Sequence, residues 1–151
     1  MTSNTSFAET IGLPMPCTSV PAHMGTFLAF DYGTKRTGVA FGTRMLASAN
    51  GVGLIAAQGK AQFPLAQQYI AQWQPDALVV GIPFHPDGAE HENTLRARKF
   101  MRSLHGRFNL PIFGVDERYS TTEALADGAN ESQVDAQSAA IILTQFLRSL
   151  P

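Results

Sequence analysis

Four acidic residues stand where ordinary surface carboxylates are not expected. Asp31 closes the apolar run TFLAFDY and is followed at once by Gly33, Lys35 and Arg36. Asp116 and Glu117 close a second run, IFGVDE, and Asp135 shares a helical face with Ala139, Ile142 and Phe146. A carboxylate on the packing face of a helix must be paired, hydrogen-bonded or bound to a metal. Each acid also has a plainer reading. Asp135 could cap its helix, Glu117 could pair with Arg36 or Arg118, and Asp31 could cap the turn at Gly33. Taken singly these suffice, but they leave unexplained why acids end strands that should share one rim. Carboxylates gathered at such a rim form an oxygen-rich site suited to Mg²⁺ or Mn²⁺. Two such ions, about 3.5–4 Å apart, clamp the attacking and leaving oxygens of a phosphodiester displacement. Zinc is not indicated, because the chain has one cysteine and no histidine pair at helix-face spacing.

The elements that must position these acids read as a mixed α/β fold. TFLAFDY, RTGVAFGTRM and SANGVGLIAA are three strands with short links, so the pattern predicts an antiparallel meander. QFPLAQQYIAQWQ carries Leu65, Tyr69 and Trp73 at four-residue steps and predicts an amphipathic helix ended by Pro75. ALVVGIP is a continuous apolar run of the kind found in a strand covered on both faces. A helix over 94–108 follows, with Ala97, Met101, Leu104 and Phe108 on one side and Arg98, Lys99 and Arg102 on the other. LPIFGVDE is another strand. Ser120 and Glu123 form a capping-box pattern, and VDAQSAAIILTQFLRSLP predicts a C-terminal helix in which Asp135 stands at the beginning. The order βββαβαβα implies one domain over 25–151, with helices on the faces of a mixed sheet.

Composition narrows the function classes. The chain has 151 residues, a net charge of −1, and 15% charged residues. Nothing global marks a nucleic-acid binder, but six of the eleven basic residues (Arg96, Arg98, Lys99, Arg102, Arg107 and Arg118) fall in one short segment. Such a face can be an electrostatic footprint for phosphate, or simply a solvated helix side. Residues 1–24 contain no Lys or Arg and three prolines, and read as a disordered extension, with Met24 a plausible alternative start. No membrane span or secretory signal is expected, and the lone Cys17 fits a reducing, cytoplasmic setting. His85 reads as an exposed loop histidine, with a phosphate contact as the sharper alternative.

In order along the chain, FDYGTKRTGVA, VVGIPFHPDG, ARKF with HGRF, VDERYSTTEA and VDAQSAAIIL resemble the motifs of the YqgF/RuvX-like family. The resemblance covers residues 25–150. It implies an RNase H-like fold and a nuclease, provisionally described in that family as acting on pre-16S rRNA or as Holliday-junction-resolvase-like. It also implies that the catalytic, metal-binding acids are Asp31, Glu117 and Asp135, and that Lys35 and Arg36 lie near the scissile phosphate. The expected function is therefore a Mg²⁺- or Mn²⁺-dependent endonuclease on structured nucleic acid, with an rRNA precursor placed ahead of a DNA junction. Arg98, Lys99, Arg102 and Arg118 would add substrate contacts, and the protein would be a monomer or weak homodimer. A nucleotide-binding module of the actin/hexokinase type shares the DYGTKRTG hairpin, but such proteins bind between two domains and this chain has length for one. A non-catalytic nucleic-acid binder is the remaining class, and the three retained carboxylates weigh against it.

Overall fold

The computed structural model describes residues 20–84, 87–117 and 134–150, together with the backbone of 8–11 and 131–133. A six-stranded mixed sheet runs in the order β1-β6-β5-β2-β3-β4. The strands are β1 (Ala8–Ile11), β2 (Thr26–Asp31), β3 (Thr37–Thr43), β4 (Ser48–Ile55), β5 (Ala77–Ile82) and β6 (Ile112–Asp116). The helices are α1 (Gln62–Trp73), α2 (Glu92–Phe108) and α3 (Glu131–Arg148). The expected meander is β2-β3-β4, antiparallel throughout. β2, β5 and β6 are mutually parallel, so their C-terminal ends share one rim.

Alternation along the strands sorts the core into two layers. Phe27, Ala29, Ala40, Val79, Phe113 and Val115 pack against Ala139, Ile142, Leu143 and Phe146 of α3. The Phe146 ring lies 5.5 Å from Phe27 and 5.6 Å from Phe113, at the separations aromatic pairs favour. Leu28, Phe30, Val39, Leu78, Val80 and Ile112 face the other way, onto Ala97, Phe100, Met101 and Leu104 of α2 and Ala66 of α1. Burial of the central strands on both sides is what their unbroken apolar runs require.

Local chemistry sets the helix ends. α1 stops at Gln74, whose φ of 46° is left-handed, one residue before Pro75. α2 begins earlier than the expected residue 94, because His91 and Thr94 form a capping box. The Asn93 N–H donates to Nδ1 of His91, while the His91 N–H donates to Oγ1 of Thr94. The Thr94 hydroxyl in turn donates to the Pro83 carbonyl, tying the start of α2 to the end of β5. α3 also begins earlier than expected: Asp135 lies four residues beyond Glu131, in the helix body, so it is not an N-cap. The capping-box residues Ser120 and Glu123, and His85, lie outside the described residues.

The reading of 1–24 as an extension that adds nothing to the sheet is corrected at specific residues. Ala8–Ile11 pairs antiparallel with β6, and Val20 and Met24 are buried in the α3-side core. Nη1 of Arg44 donates to the carbonyls of Val20 and Pro21, at 3.2 and 2.9 Å. The physical reason is positional. Pro14, Pro16 and Pro21 all lie after Ile11, so none interrupts the strand, and an edge strand needs no amphipathic pattern to pair its backbone. The rest of that segment lies outside the described residues.

A chain beginning at Met24 is therefore expected to lose the burial of Val20 and the cover on β6. Burial of a Val side chain contributes about 1.5–3 kcal/mol. At roughly 2–4 °C per kcal/mol for a domain near this size, its Tm should fall by several degrees. A calorimetric scan showing a change within about one degree would return the segment to a dispensable role.

Candidate active site at the strand rim

Strand alternation decides which acids can meet. Asp31 continues the Phe27, Ala29 series and so belongs to the α3 face of β2. After Phe113 and Val115 on that face comes Glu117, whereas the buried Asp116 falls in the alternate series with Ile112. Asp135 stands on α3 itself. Three of the four acids thus converge on one face, and Asp116 is the one displaced from it.

Two glycines allow this convergence. Gly38 is the cross-strand partner of Asp31. A Cβ on Gly38 would collide with the backbone carbonyl of Asp135, so α3 rests directly on β3 beside Asp31. Gly81, the next residue along β5 from the Phe30–Val80 pair, leaves the space that Glu117 uses. A Cβ there would stand 3.0 Å from Cγ of Glu117 and 2.8 Å from Cδ1 of Ile142.

The carboxylates so gathered repel one another, and the structure shows how the charge is managed. Glu117 is hydrogen-bonded to Asp31. Burial pushes the Glu117 carboxyl up from 4.5 to about 10, with the negative charge of Asp31, the hydrogen bond to it, and the charge of Asp116 adding to the rise. Burial also raises Asp31; the hydrogen bond from Glu117 pulls against that, and the Asp135 charge adds to it. At neutral pH the pair therefore keeps a proton, shared between Glu117 and Asp31. Asp135 is neutralised differently: Nε of Arg36 donates to its Oδ2 at 2.8 Å, with both side chains part-buried. Among the described residues no three acids already form a closed coordination cage. What exists is a proton-sharing pair with a third carboxylate drawn to a guanidinium. A part-buried all-oxygen donor set of this kind fits the donor preference of a divalent cation such as Mg²⁺.

The expected substrate contacts divide. Lys35 is exposed beside this rim, whereas Arg36 is engaged with Asp135. Arg98 does not stand free on the solvent side of α2: it pairs with Glu90 and lies 5.5 Å over the Phe84 ring. Lys99 and Arg102 are exposed, as expected, and Arg118 lies outside the described residues. Sequence reasoning missed Gly38 and Gly81. The available signal was a glycine opposite Asp31 across a short hairpin, and one in ALVVGIP where every neighbour is large.

Comparisons with known proteins agree in direction. The family described as RuvX: Holliday junction resolvase matches residues 25–149. A protein of Albidiferax ferrireducens is 61% identical over 131 residues, covering 87% of this chain and 83% of its own length. One from a Polaromonas species is 62% identical over 130 residues, covering 86% and 93%. A Burkholderia thailandensis protein is 50% identical over 133 residues, covering 83% and 90%. All three bear the provisional name pre-16S rRNA nuclease. Among solved structures, Thermus thermophilus RuvC superposes with a TM-score of 0.51 at 13% identity, covering 81% of this chain and 93% of its own, a likeness of fold.

Two outcomes test the site as built. In EDTA the protein should lose stability as pH rises from about 5 towards 9, because Glu117 stays protonated in the folded state up to about 10 but ionises above about 4.5 when unfolded. Denaturant melts of Glu117→Gln should show a flatter profile across that window, and an unchanged slope would place the shared proton elsewhere. Gly38→Ala should destabilise by about 1–3 kcal/mol or more through overpacking and displace Asp135. A variant as stable as the parent would show that α3 does not depend on this seat.

Proposed function

Since the chain belongs to the RuvX family, we propose that its carboxylate rim is the active centre of a metal-dependent endonuclease acting on structured nucleic acid. The observation that carries this reading is the Asp31–Glu117 pair beside Asp135, three acids assembled at the C-terminal rim of the parallel strands. Asp31, Glu117 and Asp135 would hold Mg²⁺ or Mn²⁺, which when bound supplies an activated water and stabilises the leaving oxygen. The protein's own work is arrangement. Gly38 and Gly81 let the acids approach, Arg36 orients Asp135, and Lys35 places a cation where a phosphate would arrive. No side chain need act as nucleophile.

The provisional names of the relatives support pre-16S rRNA as substrate; our reading places the cut near its 5′ end and the action in the cytoplasm. The family description favours a second reading, cleavage of four-way DNA junctions. No helix among the described residues is long and apolar enough to cross a membrane. We take the working unit as a monomer or weak homodimer, the latter suiting a two-fold junction.

Cleavage of a precursor rRNA and a four-way DNA junction should be assayed side by side with the parent chain and Asp31→Asn. The parent should cut one of them with Mg²⁺ or Mn²⁺, weakly with Ca²⁺, and not in EDTA. Asp31→Asn should lower cleavage by orders of magnitude with little change in folding, since the amide keeps the shape and removes the charge. Parent-like cutting by that variant would refute the assignment of the metal site.

A further inference from the structure

The opposite face of the sheet carries a feature that the carboxylate rim does not use. Between α2 and the start of α1 lies a groove of about 340 Å³, lined by Tyr32, Lys60, Phe63, Lys99, Phe100 and Arg107. Its floor is aromatic. Phe100 is buried, with the Phe63 ring stacked 6.0 Å away and the Tyr32 ring at 5.0 Å. The guanidinium of the exposed Arg107 lies 4.1 Å from the centre of the Phe63 ring, a cation–π contact at the edge of the groove. Lys60 and Lys99 are exposed, and no carboxylate pairs with either among the described residues. Arg96 also borders the groove but is engaged with Glu92.

The groove opens at the catalytic rim. Tyr32 directly follows Asp31, and alternation turns the two side chains to opposite faces of the same strand end. Lys60 follows β4, whose last residue Ile55 pairs with Thr37 at that same rim. A strand that crosses the rim after meeting Asp31 therefore runs down onto the groove. Phosphates call for cations, and a duplex would need nothing more. A stacked aromatic and guanidinium floor beneath those cations is instead the chemistry of unpaired bases. The volume lies at the small end of the roughly 300–1,000 Å³ range of ligand pockets, room for about one nucleotide.

We infer that this groove seats an unpaired nucleotide flanking the cleaved bond, its base stacked on Arg107 and Tyr32 and its phosphates held by Lys60 and Lys99. The inference rests on the nuclease reading only in making the occupant part of the substrate; the groove's preference for a single strand stands apart from cleavage.

Fluorescence anisotropy in EDTA, where nothing is cut, separates the two. Labelled single-stranded RNA and DNA homopolymers and a blunt duplex of equal length are titrated with the full chain, Arg107→Ala, Arg107→Lys and Lys60→Ala/Lys99→Ala. Arg107→Ala should weaken single-strand binding about tenfold, with duplex binding nearly unchanged, and Arg107→Lys should not restore it, because the plane rather than the charge is needed. The double lysine variant should flatten the salt dependence for single strands by about 1.4, two contacts at roughly 0.7 each. Lys60→Ala alone, in an exposed turn, supplies a folded comparison if thermal melts show that Arg107→Ala is unstable. Single-strand affinity unchanged in these variants, absent from the parent, or lost in parallel with duplex affinity would overturn the inference. If Asp31→Asn cuts like the parent while Arg107→Ala still loses the single strand, the metal site is refuted and the groove stands.

Discussion

The approach of α3 to β3 is the constraint on which the rest of the molecule depends. Asp135 sits over Gly38, and Gly38 is paired with Asp31, so one cross-strand step joins the two acids. Any side chain at Gly38 would lift the N-terminal half of α3. The helix would then lose its hold on the sheet just where its polar residue points inward, while its apolar half, with Phe146 against Phe27 and Phe113, could still pack. Fold stability and site geometry are thus partly separable along α3. The distal turns supply most of the apolar burial, and the proximal turns supply position.

That separation gives the electrostatics their meaning. Gathering Asp31, Glu117 and Asp135 works against stability in the absence of a cation, and the protein relieves the cost in two ways: a proton between Asp31 and Glu117, and Arg36 on Asp135. Burying carboxylates in a core is tolerated only with such compensation. A fold that maintains like charges together and neutralises them with exchangeable partners is retaining the charges for a use other than stability. A divalent cation is a stronger counter-charge than a proton and would favour the ionised pair, so metal affinity on this reading rises with pH as the shared proton becomes easier to displace.

Much of this was legible in the residues. The strand runs, the amphipathic helices and the positions of Asp31 and Asp135 follow from period-2 and period-3.6 patterns, which local composition controls directly. The choice between Asp116 and Glu117 was not settled by pattern, because a one-residue difference matters only once the strand's register and faces are known. Edge strand β1 was misjudged for a related reason: its pairing is a backbone matter, satisfied by the bare edge of β6 and nearly silent in side-chain pattern. Arg98 was read from a helical wheel as a free cation. A wheel cannot show that the loop before α2 folds back to bring Glu90 and Phe84 against it. Legibility failed wherever the decisive partner lay outside the element's own periodic pattern.

The same limit explains why a chain of net charge −1 can still present a basic surface. The central strands are covered on both sides, and the alternation that sends Asp31 to one face sends Tyr32 to the other. The three acids Asp31, Glu117 and Asp135 thereby lie on the α3 side of the rim, and Lys60 and Lys99 on the α1–α2 side, with a single strand end between them. On the nuclease reading, a phosphate backbone approaching this edge would meet attraction from Lys60 and Lys99 on one side and, on the other, carboxylates whose charge is offset by the shared proton and by Arg36. Binding alone would be served by the cations without the acids. On the proposed nuclease reading, keeping the two in register across one strand end would set a phosphodiester against groups that hold it and groups that would carry the metal for its cleavage.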